Sequence, residues 1–177
     1  MVYSEEMEEE YLDLVDANDI KIGTIGRSQL GTLKDDGGKY VRASYAFIQN
    51  SKGQLWIPRR TANKRIAPNG LDMAMAEHMG VDEPYIDAAV RGFQEELNLT
   101  IQPSDLKLLG ILSPLASLPY FGAYYLYQTD IEPDYNKDDF ADAYWMSHEE
   151  VWAKLERGEP AKLCLKPGLQ LMRIISK

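Results

Sequence analysis

The chain has 177 residues, enough for one domain with a real core and too few for two comfortable ones. Hydrophobic residues make up 45% and charged residues 27%, ordinary globular usage that excludes a fibrous or disordered chain. Nineteen Lys and Arg against 28 Asp and Glu leave a formal charge of -9, which repels phosphate backbones at long range and argues against nucleic acid as a partner.

Residues 1–10 read as an acidic tail, because the run Glu5, Glu6, Glu8, Glu9, Glu10 offers little to bury. An acidic start is the wrong chemistry for a secretory signal, and no stretch of about eighteen apolar residues follows. A cytoplasmic protein with no membrane association is the expectation. Cys164 is the only cysteine, which excludes an internal disulfide, an Fe–S cluster and a cysteine-rich zinc site.

A single domain is expected over residues 11–177. "YLDLVD" and "KIGTI" flank the turn-prone "ANDI" as a hairpin, and "KDDGGK" is an exposed loop. "YVRASYAFIQN" and "QLWIPRR" are strands joined by "SKG". "TANKRIAPNG" reads as a loop and "LDMAMA" as a further strand. The period then changes: Ile86, Ala89, Val90, Phe93 and Leu97 recur at helical spacing. Pro84 suits the first helical position and Asn98 the left-handed residue after the last turn. "DLKLLGIL", "FGAYYLYQTD" and "ADAYWM" follow as strands. A helix opens at "SHEE", where Ser147 and Glu150 have capping-box spacing, and a last one runs from about Pro167. Strands surrounding and separating a few helices predict an α/β (α+β) fold, a mixed sheet with helices on its faces.

The helix from Pro84 to Leu97 ends in the adjacent acids Glu95 and Glu96, which repel each other and meet the negative end of the helix dipole. A divalent cation relieves both terms, and hard oxygen donors suit Mg²⁺ or Mn²⁺, which can hold a diphosphate against an acidic protein.

The run containing them, "EHMGVDEPYIDAAVRGFQEELNL", resembles the Nudix box without a gap in spacing. Glu83, Arg91, Glu95, Glu96 and Leu99 match, and Phe93 stands in for an aliphatic residue. Three positions depart: Glu77 and Asn98 stand where the box has glycines, and Gly92 where it has its first helix glutamate. "SYAFIQNSKGQLWIPRRTANKRIAPNGLDMAMAEH" is similar to the Nudix branch of isopentenyl-diphosphate isomerase, so the resemblance spans most of residues 11–152.

The resemblance implies a Nudix-like α/β/α sandwich and a metal-dependent pyrophosphohydrolase, with Mg²⁺ or Mn²⁺ as cofactor. Its substrate would be a nucleoside diphosphate-linked or related small diphosphate metabolite. Glu95 and Glu96 would anchor the cation, and Asp139 in "EPDYNKDDFADAYW" best matches a catalytic acid beyond the box. Glu83 and Arg91 would form a structural pair. Arg59, Arg60 and Lys64, with Arg65, form the dense basic cluster expected to seat substrate phosphates. A homodimer is implied by family habit alone.

The departures differ in weight. Asn98 is mild, since Asn tolerates the left-handed conformation. Gly92 removes a metal ligand that the family uses and loosens the helix by about 1 kcal/mol relative to alanine. Glu77 adds a carboxylate nearby, and is expected to reach into the space Gly92 opens and partly rebuild the metal site. On that view reverting Gly92→Glu should raise the hydrolytic rate. The competing expectation is a catalytically impaired ligand-binding or regulatory protein on the same scaffold. Isomerase activity is less favoured because the stretch from Arg59 to His78 supplies no thiol. His78 and His148 read as packing or surface residues, the aromatic run Tyr120 to Tyr127 as mostly core, and Cys164 as a small buried hydrophobe.

Overall fold

The computed structural model describes residues 9–33, 37–115 and 118–175. The tail residues 1–8 and the first three residues of "KDDGGK" lie outside the described residues. The elements in chain order are β1 (Tyr11–Val15), β2 (Lys21–Gly26), β3 (Val41–Gln49), β4 (Leu55–Arg60), β5 (Met75–His78), α1 (Tyr85–Leu97), β6 (Leu106–Leu112), β7 (Tyr120–Gln128), β8 (Phe140–Met146), α2 (His148–Glu156) and α3 (Leu165–Ile175).

Strands β1 and β2 form their own hairpin, while the main sheet has six strands in the order β6-β7-β3-β4-β8 with β5 added on β3. Strands β3 and β7 run parallel and the remaining pairs antiparallel, so the sheet is mixed. One edge of β3 is shared. Its last residue, Gln49, pairs with Leu55 of β4, while Ala43 to Ala46 pair with β5.

The period-two alternation of β3 and β4 builds a core on each face. Tyr45, Phe47, Leu55 and Ile57 pack with Val151 of α2 and with Leu165, Leu169 and Met172 of α3. Ala46, Ile48 and Trp56 face the other way, against Ala89, Phe93 and Leu97 of α1. Each fully buried side chain of this size contributes about 1.5–3 kcal/mol by leaving water, and the two cores together make the expected sandwich. Among the described residues no helix is long and apolar enough to cross a membrane.

Local boundaries shift for identifiable reasons. Pro84 is the residue before α1, extended at φ -65 and ψ 149, rather than its first helical residue. Asn98 does end the helix in the left-handed conformation, φ 52 and ψ 28. Helix α3 starts at Leu165, ahead of Pro167, because a proline in the first turn gives up an N–H that has no intrahelical acceptor. The "LDMAMA" strand is divided: Leu71 makes isolated bridges to Arg59 and Ala161, and β5 proper runs Met75–His78. Helix α2 carries the reciprocal capping box, with Glu150 N donating to Ser147 Oγ at 3.2 Å and Ser147 N to Glu150 Oε2 at 2.7 Å. Ahead of β1, Glu9 accepts from Ser28 N at 3.0 Å and Glu10 pairs with Arg27 at the surface.

Candidate active site

Helix α1 lies across β5 and β3, and Gly92 is buried on the face that meets β5. A Cβ at Gly92 would stand 2.6 Å from Met75 Sδ and 2.7 Å from Glu77 Cγ. The glycine is there for space, and the stem of Glu77 occupies it. The Glu77 carboxylate then meets two neighbours: Arg91 Nη1, 3.4 Å from Oε2, and the carboxyl of Glu96. Burial pushes Glu77 above the usual carboxylate range, with Arg91 acting against the rise and Glu95 adding to it. Burial likewise raises Glu96 well above that range, and the charge of Glu77 adds to it.

Glu95 and Glu96 part company although adjacent. Glu95 is 55% exposed and held by Arg91 Nη1 at 3.2 Å, whereas Glu96 is half-buried beside Glu77. The expected pairing of two helix-end acids is replaced by a pairing across the gap between α1 and β5.

Arg91 ties these elements together. Its Nε and Nη2 reach Glu83 Oε1 and Oε2 at 2.9 and 3.0 Å, a bidentate pair. Nη2 also donates to His78 O at 2.9 Å. Burial raises the Glu83 carboxyl, but hydrogen bonds from Arg91 and from Gly80 N–H outweigh it and leave a net lowering.

The donor set bears on whether a cation fits. Mg²⁺ is commonly held by one or two carboxylates, with waters and substrate phosphates completing the octahedron. Glu77 and Glu96 are such a pair: hard oxygens set together, with a hydrogen bond from Glu96 favouring the charged form of Glu77 while the charge of Glu77 raises Glu96. Among the described residues no three His, Cys, Asp or Glu side chains are gathered as a ready metal cluster, so the remaining positions fall to water and substrate. On this donor chemistry the residues fit a divalent ion.

The basic cluster is committed elsewhere. Arg59 Nη2 lies 2.6 Å from Glu159 Oε1, Arg60 Nη1 lies 2.6 Å from Asp72 Oδ2, and Lys64 pairs with Asp139. Asp139 stands close enough for its charge to raise Glu96. The loop before it is anchored to the end of α1, where Asn136 N donates to Glu96 O at 2.8 Å.

Beside Glu77 opens a cavity of about 330 Å³ lined in part by Tyr45, Glu77, His78, Tyr120, Lys162 and Cys164. Sequence reasoning missed Lys162 and its partner Asp72. The segment between α2 and α3 runs alongside Leu71, with Leu71 N donating to Pro160 O at 2.8 Å and Lys162 N to Leu71 O at 2.9 Å. No spacing rule pairs two such distant loops. Cys164 is a buried residue as expected, yet it lies on the cavity wall, its thiol pushed up to about 12 by burial. His78 packs its ring 5.3 Å from that of Tyr120, and burial lowers it to about 4, helped by Arg27, Lys162 and Arg91. His148 is remote from this cavity, stacked on Trp152 and bonded to Leu169 O at 2.9 Å.

A NUDIX domain model matches residues 39–167. An uncharacterised Nudix hydrolase of Nostoc is 42% identical over 154 residues, covering 86% of this chain and 89% of that protein. A crystal structure from Deinococcus radiodurans superposes with a TM-score of 0.81 at 34% identity, over 93% of this chain and 98% of that one. An isopentenyl-diphosphate Delta-isomerase of Photorhabdus laumondii is 32% identical over 88 residues, covering 50% of this chain and 48% of that protein. A domain match of that length, with relatives alike over nearly the whole fold, makes this chain a member of the Nudix family.

Proposed function

We propose that the protein is a metal-dependent pyrophosphohydrolase that cleaves the diphosphate linkage of a nucleoside diphosphate-linked or related small metabolite. The observation that carries this reading is the Glu77 to Glu96 juxtaposition across Gly92. It returns a carboxylate to the place where the box has lost one.

In this reading Glu96 and Glu77 hold the cation, and Glu95 supports them through Arg91. Bound Mg²⁺ or Mn²⁺ supplies Lewis-acid polarisation of the phosphoryl oxygens. Arg91 and Glu83 keep the end of β5 and α1 in register, so the two acids face each other. Asp139, steadied by Lys64, takes the proton of the attacking water. Of the basic cluster, Arg59, Arg60 and Lys64 serve the substrate by holding the loop around it, since each has a carboxylate partner. The reading goes with a cytoplasmic enzyme of small molecules, and with a homodimer by family habit.

A second reading, a ligand-binding protein without turnover, draws on one specific observation: among the described residues three metal-binding side chains are not gathered in one place. A panel of nucleotide and sugar diphosphates assayed with Mg²⁺ and Mn²⁺, with Glu96→Gln as control, separates the two. Metal-dependent product release that the control loses supports the hydrolase. Binding without release supports the second reading. Dimethylallyl diphosphate formation is expected to be nil.

A further inference from the structure

The cations that the sequence groups together are all engaged by carboxylates, apart from exposed Arg65, whereas Lys162 is not held in the same way. Its Nζ makes one ion pair, to Asp72 Oδ2 at 3.6 Å, well beyond the roughly 2.7–2.9 Å of a charge-assisted hydrogen bond. Asp72 has closer partners than Lys162. Arg60 Nη1 takes the same Oδ2 at 2.6 Å and Met73 N donates to Oδ1 at 2.8 Å. Among the described residues no hydrogen bond is donated by Lys162 Nζ, although the side chain is only 21% exposed. The ammonium itself is not sealed from solvent: Lys162 lies on the wall of the cavity, where the oxygens of a ligand can reach its free donors.

Its position says which ligand. Lys162 shares the wall of the 330 Å³ cavity with Glu77, and its charge reaches Glu96, Tyr120 and His78. It shares with Glu77 a cavity lined mainly by apolar and aromatic side chains such as Tyr45, Tyr120 and Leu163. An anion lodged there would meet the ammonium on one side and the carboxylate-bound cation on the other.

We propose that Lys162, brought in from the loop between α2 and α3, is the substrate-binding cation of the site, donating to the oxygens of a diphosphate whose uncharged organic group fills the cavity. Lysine suits the task as a compact point charge with three rotatable donors. The organic group, as substrate, rests on the hydrolase reading; the diphosphate contact does not.

The test is calorimetric titration of inorganic pyrophosphate, with Mg²⁺ present, into the wild type, Lys162→Met and Lys162→Arg. Mn²⁺ alone is titrated in parallel. Pyrophosphate affinity should fall by 10-fold or more in Lys162→Met and recover in part in Lys162→Arg, with Mn²⁺ affinity undiminished. Equal pyrophosphate binding by wild type and Lys162→Met, or no binding by the wild type, overturns the proposal. So does a parallel loss of Mn²⁺ affinity, which would mark a structural role. Should Lys162→Met not fold, Lys162→Gln replaces it with the same expected outcomes. A protein that binds pyrophosphate through Lys162 yet hydrolyses nothing would sink the hydrolase reading and leave this one standing.

Discussion

The side chain of Glu77 lies over Gly92 so closely that a Cβ there would come within 2.7 Å of its Cγ. The strand facing the helix presents a carboxylate beside a helix position that is glycine, and the stem of that acid fills the space over the glycine. Restoring the box residue alone therefore cannot restore the box.

Gly92→Ala gains about 1 kcal/mol of helix propensity, but overpacking against Met75 and Glu77 costs roughly 1–3 kcal/mol. The net expectation is destabilisation in urea unfolding. Gly92→Glu should be worse and should not raise hydrolysis, contrary to the simple sequence expectation. The double change Gly92→Glu with Glu77→Gly should recover stability relative to Gly92→Glu. If Gly92→Glu alone is as stable as wild type and faster, the contact does not matter.

The different settings of the adjacent helix acids give unequal roles. Glu96 stands beside Glu77 inside the site, while Glu95 is exposed on Arg91. Glu96→Gln should lower Mn²⁺ affinity by roughly 10- to 100-fold, the scale seen when a metal site loses an interaction it depends on. Glu95→Gln should change it by less than about 3-fold, because an exposed ion pair of this kind is worth roughly 1 kcal/mol or less. Manganese titration followed by electron paramagnetic resonance reads both, and equal losses would contradict the asymmetry.

Much of the fold was legible because helix α1 keeps a helical period, because the turn SKG marks β3 and β4 as a hairpin of apolar strands, and because Ser147 with Glu150 and Asn98 use local signals that need no tertiary partner. The Glu83 to Arg91 pair was visible through the box. What could not be read was direction and distance. The sequence presents Glu95 and Glu96 as one pair of helix-end acids, and only the packing of β5 on α1 sets Glu96 beside Glu77 while Glu95 stays exposed. The "RRTANKR" cluster looked like a phosphate seat since its partners, Glu159, Asp72 and Asp139, lie outside it. Lys162 carried no motif at all; it enters through a bridge between two loops remote in sequence.

Cys164 supplies a test of how closed the cavity wall is. The thiol is buried and pushed up to about 12, so the reactive thiolate is on the order of one part in ten thousand at pH 8. Iodoacetamide should leave the native protein unmodified over hours by mass spectrometry and alkylate it fully in guanidinium. Rapid labelling of the native protein would show a wall that opens.

His78 makes stability depend on acid in a definite window. Burial, with Arg27, Lys162 and Arg91, lowers it from 6.5 to about 4, so between those values the unfolded chain binds a proton that the folded chain refuses. The neutral ring's contribution is fully present above pH 6.5 and is lost as pH falls towards 4, at most roughly 3 kcal/mol. Raised carboxyls at Glu77 and Glu96 act in the opposite sense, favouring the fold as pH falls towards the ordinary carboxylate range. The histidine part is therefore read as a difference. Urea midpoints of wild type and His78→Phe, which keeps a ring against Tyr120, should diverge between pH 7 and pH 4.5, the wild type losing more. Parallel pH profiles would mean that His78 takes up its proton in the folded protein as readily as in water.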